Sequence, residues 1–209
     1  MPSSAKALVT VELWNRKFHY YLGLFFLFFL WLFSLTGLLL NHPQWRIASG
    51  DRHETRYQQS IEPPRGDTEL ARARDVMAQL KLPGEIDWPA AQKAGYLDFN
   101  VSRPNDASRI QVDLRQNVAS VQHFANSHWA TFRIFHAFSG SRFDAPATAR
   151  DWTLTTVWVI AMDALAVALI VMVLGSYYMW YRLKKKRALG VIALSAGVLS
   201  CGVFVSGFL

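Results

Sequence analysis

Cysteine and the short motifs of several common chemistries are almost absent from this sequence. Its 209 residues include one cysteine, Cys201, so no disulfide can form within the chain, and cysteine gives no information about the compartment. The patterns HExxH, CxxC and CxxCH, the P-loop, and any flavin or nicotinamide motif are missing as well. These absences argue against metalloprotease, dithiol, covalent-haem and nucleotide-hydrolysing functions.

Charge is scarce in three long apolar runs. Residues 18–40 carry His19 as their only ionisable group apart from two tyrosines, residues 152–181 carry only Asp163, and residues 189–209 carry none. A helix of 23 residues is about 34 Å long, which spans a hydrocarbon core of about 30 Å. We therefore predict three transmembrane helices, the first of them retained because no signal-peptide cleavage site follows it.

The positive charge is concentrated on two membrane flanks. The net charge is +7, and the same value results from the bases and acids of residues 1–17 and 182–188 alone. By the positive-inside rule both flanks face the cytoplasm, which places residues 43–150 and the C-terminus on the outer side. Membrane topology explains these charges, so nucleic acid is not an expected partner.

The outer segment contains the only candidate for a folded domain. Residues 43–66 are polar, include a proline pair and predict a linker. Residues 67–126 combine one amphipathic helix, capped by Asp67 or Thr68, with alternating apolar residues typical of strands, and predict a small α+β domain. Residues 127–150 predict an amphipathic segment on the membrane surface. A domain with so small a core is expected to need contacts with the membrane helices or with a partner for its stability.

Four motifs together resemble the PepSY-associated transmembrane proteins of bacterial inner membranes. They are RKFHYYLGL at 16–24, TGLLLNH at 36–42, the segment ending in DLRQNVASV, and FRIFHAFSG at 132–140. The resemblance covers roughly residues 14–182 and implies an inner-membrane protein with a periplasmic PepSY-like domain between its first two membrane helices. Larger members include haem-containing reductases that release iron from ferric siderophores.

The histidines in these motifs are candidate ligands for one b-type haem. His42 ends the first apolar run, and His136 lies on a short amphipathic segment that could reach the same depth, so we expect these two imidazoles to hold the iron. His128 could replace or assist His136. On a straight helix His19 would lie about 34 Å from His42 and could not share its iron. The competing interpretation makes His42 a helix end and His19 an interfacial anchor.

Asp163 is the other unusual residue, because an acid about eleven residues into a membrane helix is costly. It is expected to face a bundle interior, as a proton acceptor, as a polar lock, or simply bonded to Ser34, Thr36 or a serine of the third run. Small residues in that third run favour close packing within the protein, in a homo-oligomer or in a larger complex.

Two classes of function follow. The first is a haem protein of the bilayer that takes electrons from a quinol or another redox protein and passes them to a periplasmic acceptor such as a ferric siderophore. The second is a non-enzymatic, membrane-anchored interaction or assembly module, or an accessory subunit of a larger membrane complex, whose sheet edge accepts a peptide.

Overall fold

A computed structural model describes residues 2–45, 52–140, 150–183 and 187–208, without the side chains of residues 2–8 and 88–93. The chain forms two compact units. The first comprises Met1–Phe28 with Asp163–Leu209, and the second comprises Phe29–Met162.

The first unit is helical. Its helices are α1 (Pro2–Phe25), most of α5 (Thr153–Arg182) and α6 (Arg187–Phe208). Asn15 on α1 donates a hydrogen bond of 3.0 Å to the carbonyl of Gly175 on α5. α5 and α6 are each long and apolar enough to cross a membrane. α6 has no buried residue, and among the described residues its surface is exposed from Val191 to Phe208.

A third candidate span is broken. α1 ends at Phe25, α2 (Leu27–Asn41) begins two residues later, and the two segments meet at an angle of 58°. They count as a third span only if the bent pair is taken as one crossing. The prediction of one straight helix over residues 18–40 is therefore wrong. At the break Phe26 is buried whereas Phe25 is 72% exposed, a difference that a uniform run of apolar residues does not signal.

The second unit contains a five-stranded antiparallel sheet with the strand order β1-β5-β4-β3-β2. Its strands are β1 (Arg52–Ser60), β2 (Glu85–Lys93), β3 (Tyr96–Arg103), β4 (Asp106–Asp113) and β5 (Val118–Asn126). Helix α3 (Glu69–Gln79) lies between β1 and β2 in sequence and packs against the sheet. The predicted small α+β domain is confirmed at this level.

The core lies between α3 and one face of the sheet. Alternate residues of β3 and β4 point into it, as their apolar periodicity predicted. Thr68 caps α3, its hydroxyl accepting a hydrogen bond from the Ala71 N–H at 3.1 Å. The buried residues are Ala73, Val76, Leu80, Ile86, Leu97, Phe99, Val101, Ile110, Val112, Ala119 and Val121.

Two strands were not predicted. β1 lies inside the segment that was assigned to a linker, so that assignment is wrong for residues 52–60. All nine residues of β1 are exposed, and its polar sequence shows no apolar alternation because backbone pairing and polar side-chain contacts with β5, rather than apolar burial, hold this edge. β2 escaped detection because it contains Pro89 and because its pairing with β3 shifts register between Asp87 and Ala91.

The amphipathic segment after the sheet is partly described. Helix α4 (His128–Phe135) begins at Ser127, whose hydroxyl accepts a hydrogen bond from the Ala130 N–H. A helix is therefore confirmed here, while its position on a membrane surface stays a prediction. The rest of the predicted segment, from residue 141 to residue 149, lies outside the described residues.

Candidate functional site

His136 occupies the C-terminal cap of α4, where its side chain meets α2. Its Nδ1 lies 3.0 Å from Oγ1 of Thr36, a residue that is only 1% exposed. The same hydroxyl lies 2.8 Å from the carbonyl oxygen of Leu32, one turn earlier on the helix. A carbonyl can only accept, so the single hydroxyl proton of Thr36 goes to Leu32 and Thr36 accepts from the imidazole. We therefore assign the Nδ1–H tautomer to neutral His136, which leaves the lone pair on Nε2.

The surroundings of His136 are aromatic. The Phe33 ring centre lies 5.2 Å from that of His136, and Phe33 also stacks on Trp158 at 6.2 Å with an interplanar angle of 16°. Phe135 meets Trp158 at 5.2 Å. A Cβ added to Gly37 would lie 3.1 Å from Cε1 of His136, so glycine allows the imidazole to approach the helix this closely. The result is an imidazole with one satisfied nitrogen in a largely apolar surround.

An apolar cleft of about 470 Å³ lies next to this aromatic group. Phe29, Phe135, Phe138, Trp152 and Trp158 line it, and it falls in the size range of small-molecule sites. The indole N–H of Trp158 donates to the Phe138 carbonyl at 3.1 Å, so it presents no unpaired donor to the cleft. His136 itself is not part of the cleft wall. Phe135 and Trp158 therefore belong to both the cleft and the surroundings of His136.

No hydrogen bond or ring contact joins His42 to His136 in the described part of the chain. His42 follows α2, and its ring stacks on Trp45 with centroids 4.4 Å apart and planes within 5°. It comes six residues after Thr36, which is about 9 Å along a helix axis and about 120° around it. Two imidazoles that share an iron must both point along one axis. Nε2 of His136 is the imidazole nitrogen left to hold a metal, and the pair with His42 stays a prediction.

The other predicted residues lie apart from this site or in the other unit. His128 is exposed at the first position of α4, about 12 Å along that helix from His136. Nδ1 of His19, on α1, is buried with no hydrogen-bond partner among the residues described. Asp163 is exposed on α5, and its side chain makes no hydrogen bond or ion pair within the described ranges. In those ranges no three His, Cys, Asp or Glu side chains are grouped as they are in a typical metal site.

Sequence reasoning missed a pair of buried carboxylates that joins the sheet to α5. Glu85, at the start of β2, is 2% exposed and accepts hydrogen bonds from the backbone N–H groups of Asp151 and Trp152 at 2.9 and 3.1 Å. The Asp151 carboxylate in turn accepts a hydrogen bond from the backbone N–H of Ile86, the residue after Glu85, at 3.1 Å. It also accepts one from Nε of Arg74 at 2.6 Å. We call these reciprocal bonds the carboxylate latch. They satisfy backbone donors just before the first turn of α5, where negative charge is favourable.

The outer face of the sheet is polar. A shallow hollow of about 610 Å³ on it is lined by residues that include Arg56, Arg109 and Gln122. Hydrogen bonds from Arg56 and Gln122 to Glu54 lower the pKa of that carboxyl. A solvated polar face is the usual partner of a buried face in an antiparallel sheet. This surface therefore needs no ligand to account for it.

Comparison with known proteins assigns no family. No protein-family model matches the chain, and no curated protein or solved structure is similar to it. The resemblance to PepSY-associated proteins rests on the quoted motifs alone.

Proposed function

We propose that this is a membrane-anchored electron-transfer protein in which His136 would hold one b-type haem through Nε2. The observation that carries the proposal is the hydrogen bond between His136 and Thr36. It fixes the ring and directs the imidazole proton to Nδ1, so that Nε2 can donate its lone pair to a metal. The surrounding aromatic rings supply the low polarity that a b-type haem requires.

Electron transfer through a haem requires few further residues of the chain. When bound, the haem supplies one-electron transfer, which requires a positioned iron and a tuned potential but no acid or base catalyst. Thr36 orients His136 through their hydrogen bond, and Gly37, which has no side chain, lets the imidazole pack closely against α2. His42, one residue beyond the end of α2, is the proposed second ligand once its stacking on Trp45 is released.

The proposed donor is a quinol or another redox protein, and the proposed acceptor is a periplasmic ferric siderophore. Reduction favours iron release because Fe(II) is a poorer match than Fe(III) for hard oxygen ligands. The proposed setting is a bacterial inner membrane with the N-terminus in the cytoplasm and the PepSY-like domain in the periplasm, as the basic flanks indicate.

The test is haem content per chain, measured by reduced-minus-oxidised spectra and pyridine haemochrome after expression with added haem. We expect about one haem per chain in the unmodified protein and none in His136→Ala. Thr36→Val keeps the shape of Thr36 but removes its hydroxyl, so we expect about 10- to 100-fold weaker haem binding.

The sheet offers a matched control. Ser108 and His123 form a hydroxyl–imidazole pair with the same 3.0 Å separation, so His123→Ala removes a comparable pair from a position away from the aromatic group. We expect His123→Ala to keep its haem. Loss of low-spin character in His42→Ala, with the haem retained, would identify His42 as the second ligand. A folded, haem-free protein that gains no Soret band on reconstitution contradicts the proposal.

A second candidate function, an interaction module, is favoured by the edge strand β1. All of β1 is exposed, and no other described strand pairs with its outer edge, on which a peptide could add a strand. The experiment places a photo-crosslinking amino acid at Tyr57 on β1 or, as a control, at Asn100 on the interior strand β3. Adducts at Tyr57 alone, unchanged by His136→Ala, support the module, and adducts at neither position contradict it.

A further inference from the structure

The outward face of α5 carries Asp163. Leu165 and Ala168 on the same helix are buried by the chain itself. At 100° per residue, Asp163 lies about 160° around the axis from Leu165, close to the opposite side of the helix. The described residues therefore cover one face of α5 and leave uncovered the face that carries its only acid.

The depth of Asp163 makes this exposure unusual. It comes ten residues after Thr153 and nineteen before Arg182, about 15 Å and about 28 Å along the axis. Ionisable groups so far inside a membrane helix almost always face protein or a water-filled cavity, because lipid cannot satisfy their hydrogen bonds. A partner is needed at this face.

The residues around Asp163 indicate which partner. Ile160, Asp163, Val167, Ile170 and Leu174 follow the alternating three- and four-residue spacing of a coiled-coil seam. The four apolar members are 61–64% exposed, so the stripe is open along its length. We call these five residues the α5 seam. Its spacing is self-complementary, as the contact between two identical parallel helices must be.

We infer that a second copy of this chain covers the α5 seam, and that the two Asp163 side chains hydrogen-bond each other across the dimer axis. The three apolar runs contain no lysine or arginine, so a copy brings no cation to this depth. Two carboxyl groups that share a site satisfy each other by holding a proton between them. A single polar pair within an apolar seam also fixes the register of the two helices.

The first test is disulfide cross-linking in lipid bilayers. Because Cys201 is the only cysteine, Cys201→Ser gives a cysteine-free background in which single cysteines can be placed. Val167→Cys lies in the seam, and Val173→Cys is a control that is similarly exposed but about 120° from Val167 around the helix. We expect oxidation to give covalent dimers at position 167 and few at position 173. Equal cross-linking at both positions, or none at 167, overturns the inference.

The second test isolates the acid. Dimer fraction is measured by energy transfer between labelled chains over a series of protein-to-lipid ratios. Asp163→Asn keeps a side chain that can hydrogen-bond across the axis and should still dimerise, whereas Asp163→Val should weaken the dimer about 3- to 30-fold. A wild-type protein that stays monomeric at every ratio overturns the dimer, and an unchanged dimer in Asp163→Val overturns the role of the acid. Neither readout depends on haem.

Discussion

The carboxylate latch makes the clearest energetic prediction, which concerns Glu85→Gln. This change keeps the size of the side chain but replaces one acceptor oxygen by an NH₂ group. In the native protein the two oxygens accept separately, Oε2 from the Asp151 N–H and Oε1 from the Trp152 N–H. The amide can accept only one of these bonds. Its NH₂ group then faces the other backbone donor in a site that is almost closed to water.

The magnitude follows from the bonds that are lost. A hydrogen bond to a charged group contributes about 1.5–3 kcal/mol, so the two together contribute about 3–6 kcal/mol. Glutamine keeps one neutral bond of about 1 kcal/mol and leaves one buried donor unpaired. We therefore expect the junction between β2 and α5 to lose about 2–5 kcal/mol. At 1.4 kcal/mol per factor of ten, local opening becomes roughly 30- to 4,000-fold more frequent.

Hydrogen exchange measures this opening directly. We expect the amides of Ile86, Asp151 and Trp152 to exchange faster by that factor in Glu85→Gln. Amides of the sheet core, such as that of Val112, should keep their protection because their bonds lie within the ladder. Glu54→Gln, at an exposed edge position, is the control. Unchanged exchange at the junction, or equal acceleration throughout the sheet, would refute the latch as a local clamp.

Two further predictions concern packing and pH. In Gly190→Ala the new Cβ would lie 1.7 Å from Nε1 of Trp180, so the indole must move, and we expect about 1–3 kcal/mol of lost stability, seen as a lower thermal midpoint in detergent. Gly197→Ala, which meets nothing within 4 Å, should leave that midpoint unchanged. Burial raises the pKa of Asp87 although Ser102 donates to its carboxylate, so native stability falls as pH rises from the ordinary carboxyl range through the raised value. Asp87→Asn should remove this fall, giving a small gain over wild type near pH 7 that vanishes near pH 3. A gain of equal size at both pH values would contradict the assignment.

Local patterns in the sequence predicted the parts of the fold that bury a side chain at regular intervals. The apolar face of α3 and the alternation in β3 and β4 were readable because each side of those elements meets a different environment. β1 could not be predicted, since all of its residues are exposed and it is held by backbone bonds and polar side-chain contacts, which leave no apolar pattern in the sequence. The bend at Phe26 was hidden because every neighbouring residue is equally apolar.

In the candidate site, too, some residues could be predicted from the sequence and others could not. The motif around His136 drew attention to that residue, but its partner Thr36 lies 100 residues away in sequence and carries no signal of the pairing. The latch joins Glu85 to Asp151 across 66 residues, each in a polar stretch where an acid is unremarkable. Such pairs depend on tertiary packing, which a single sequence does not record as a pattern.

The register of β1 also determines how the domain is attached. Arg52, at the beginning of β1, pairs directly with Asn126, at the end of β5, so the chain enters and leaves the sheet about 5 Å apart at one end. All the intervening residues, including α3 and its core, are enclosed between these two neighbouring points. The domain is therefore an insertion whose two ends are neighbours. A short turn that joins residues 52 and 126, or another domain with neighbouring ends, could take its place without moving the points where the chain enters and leaves.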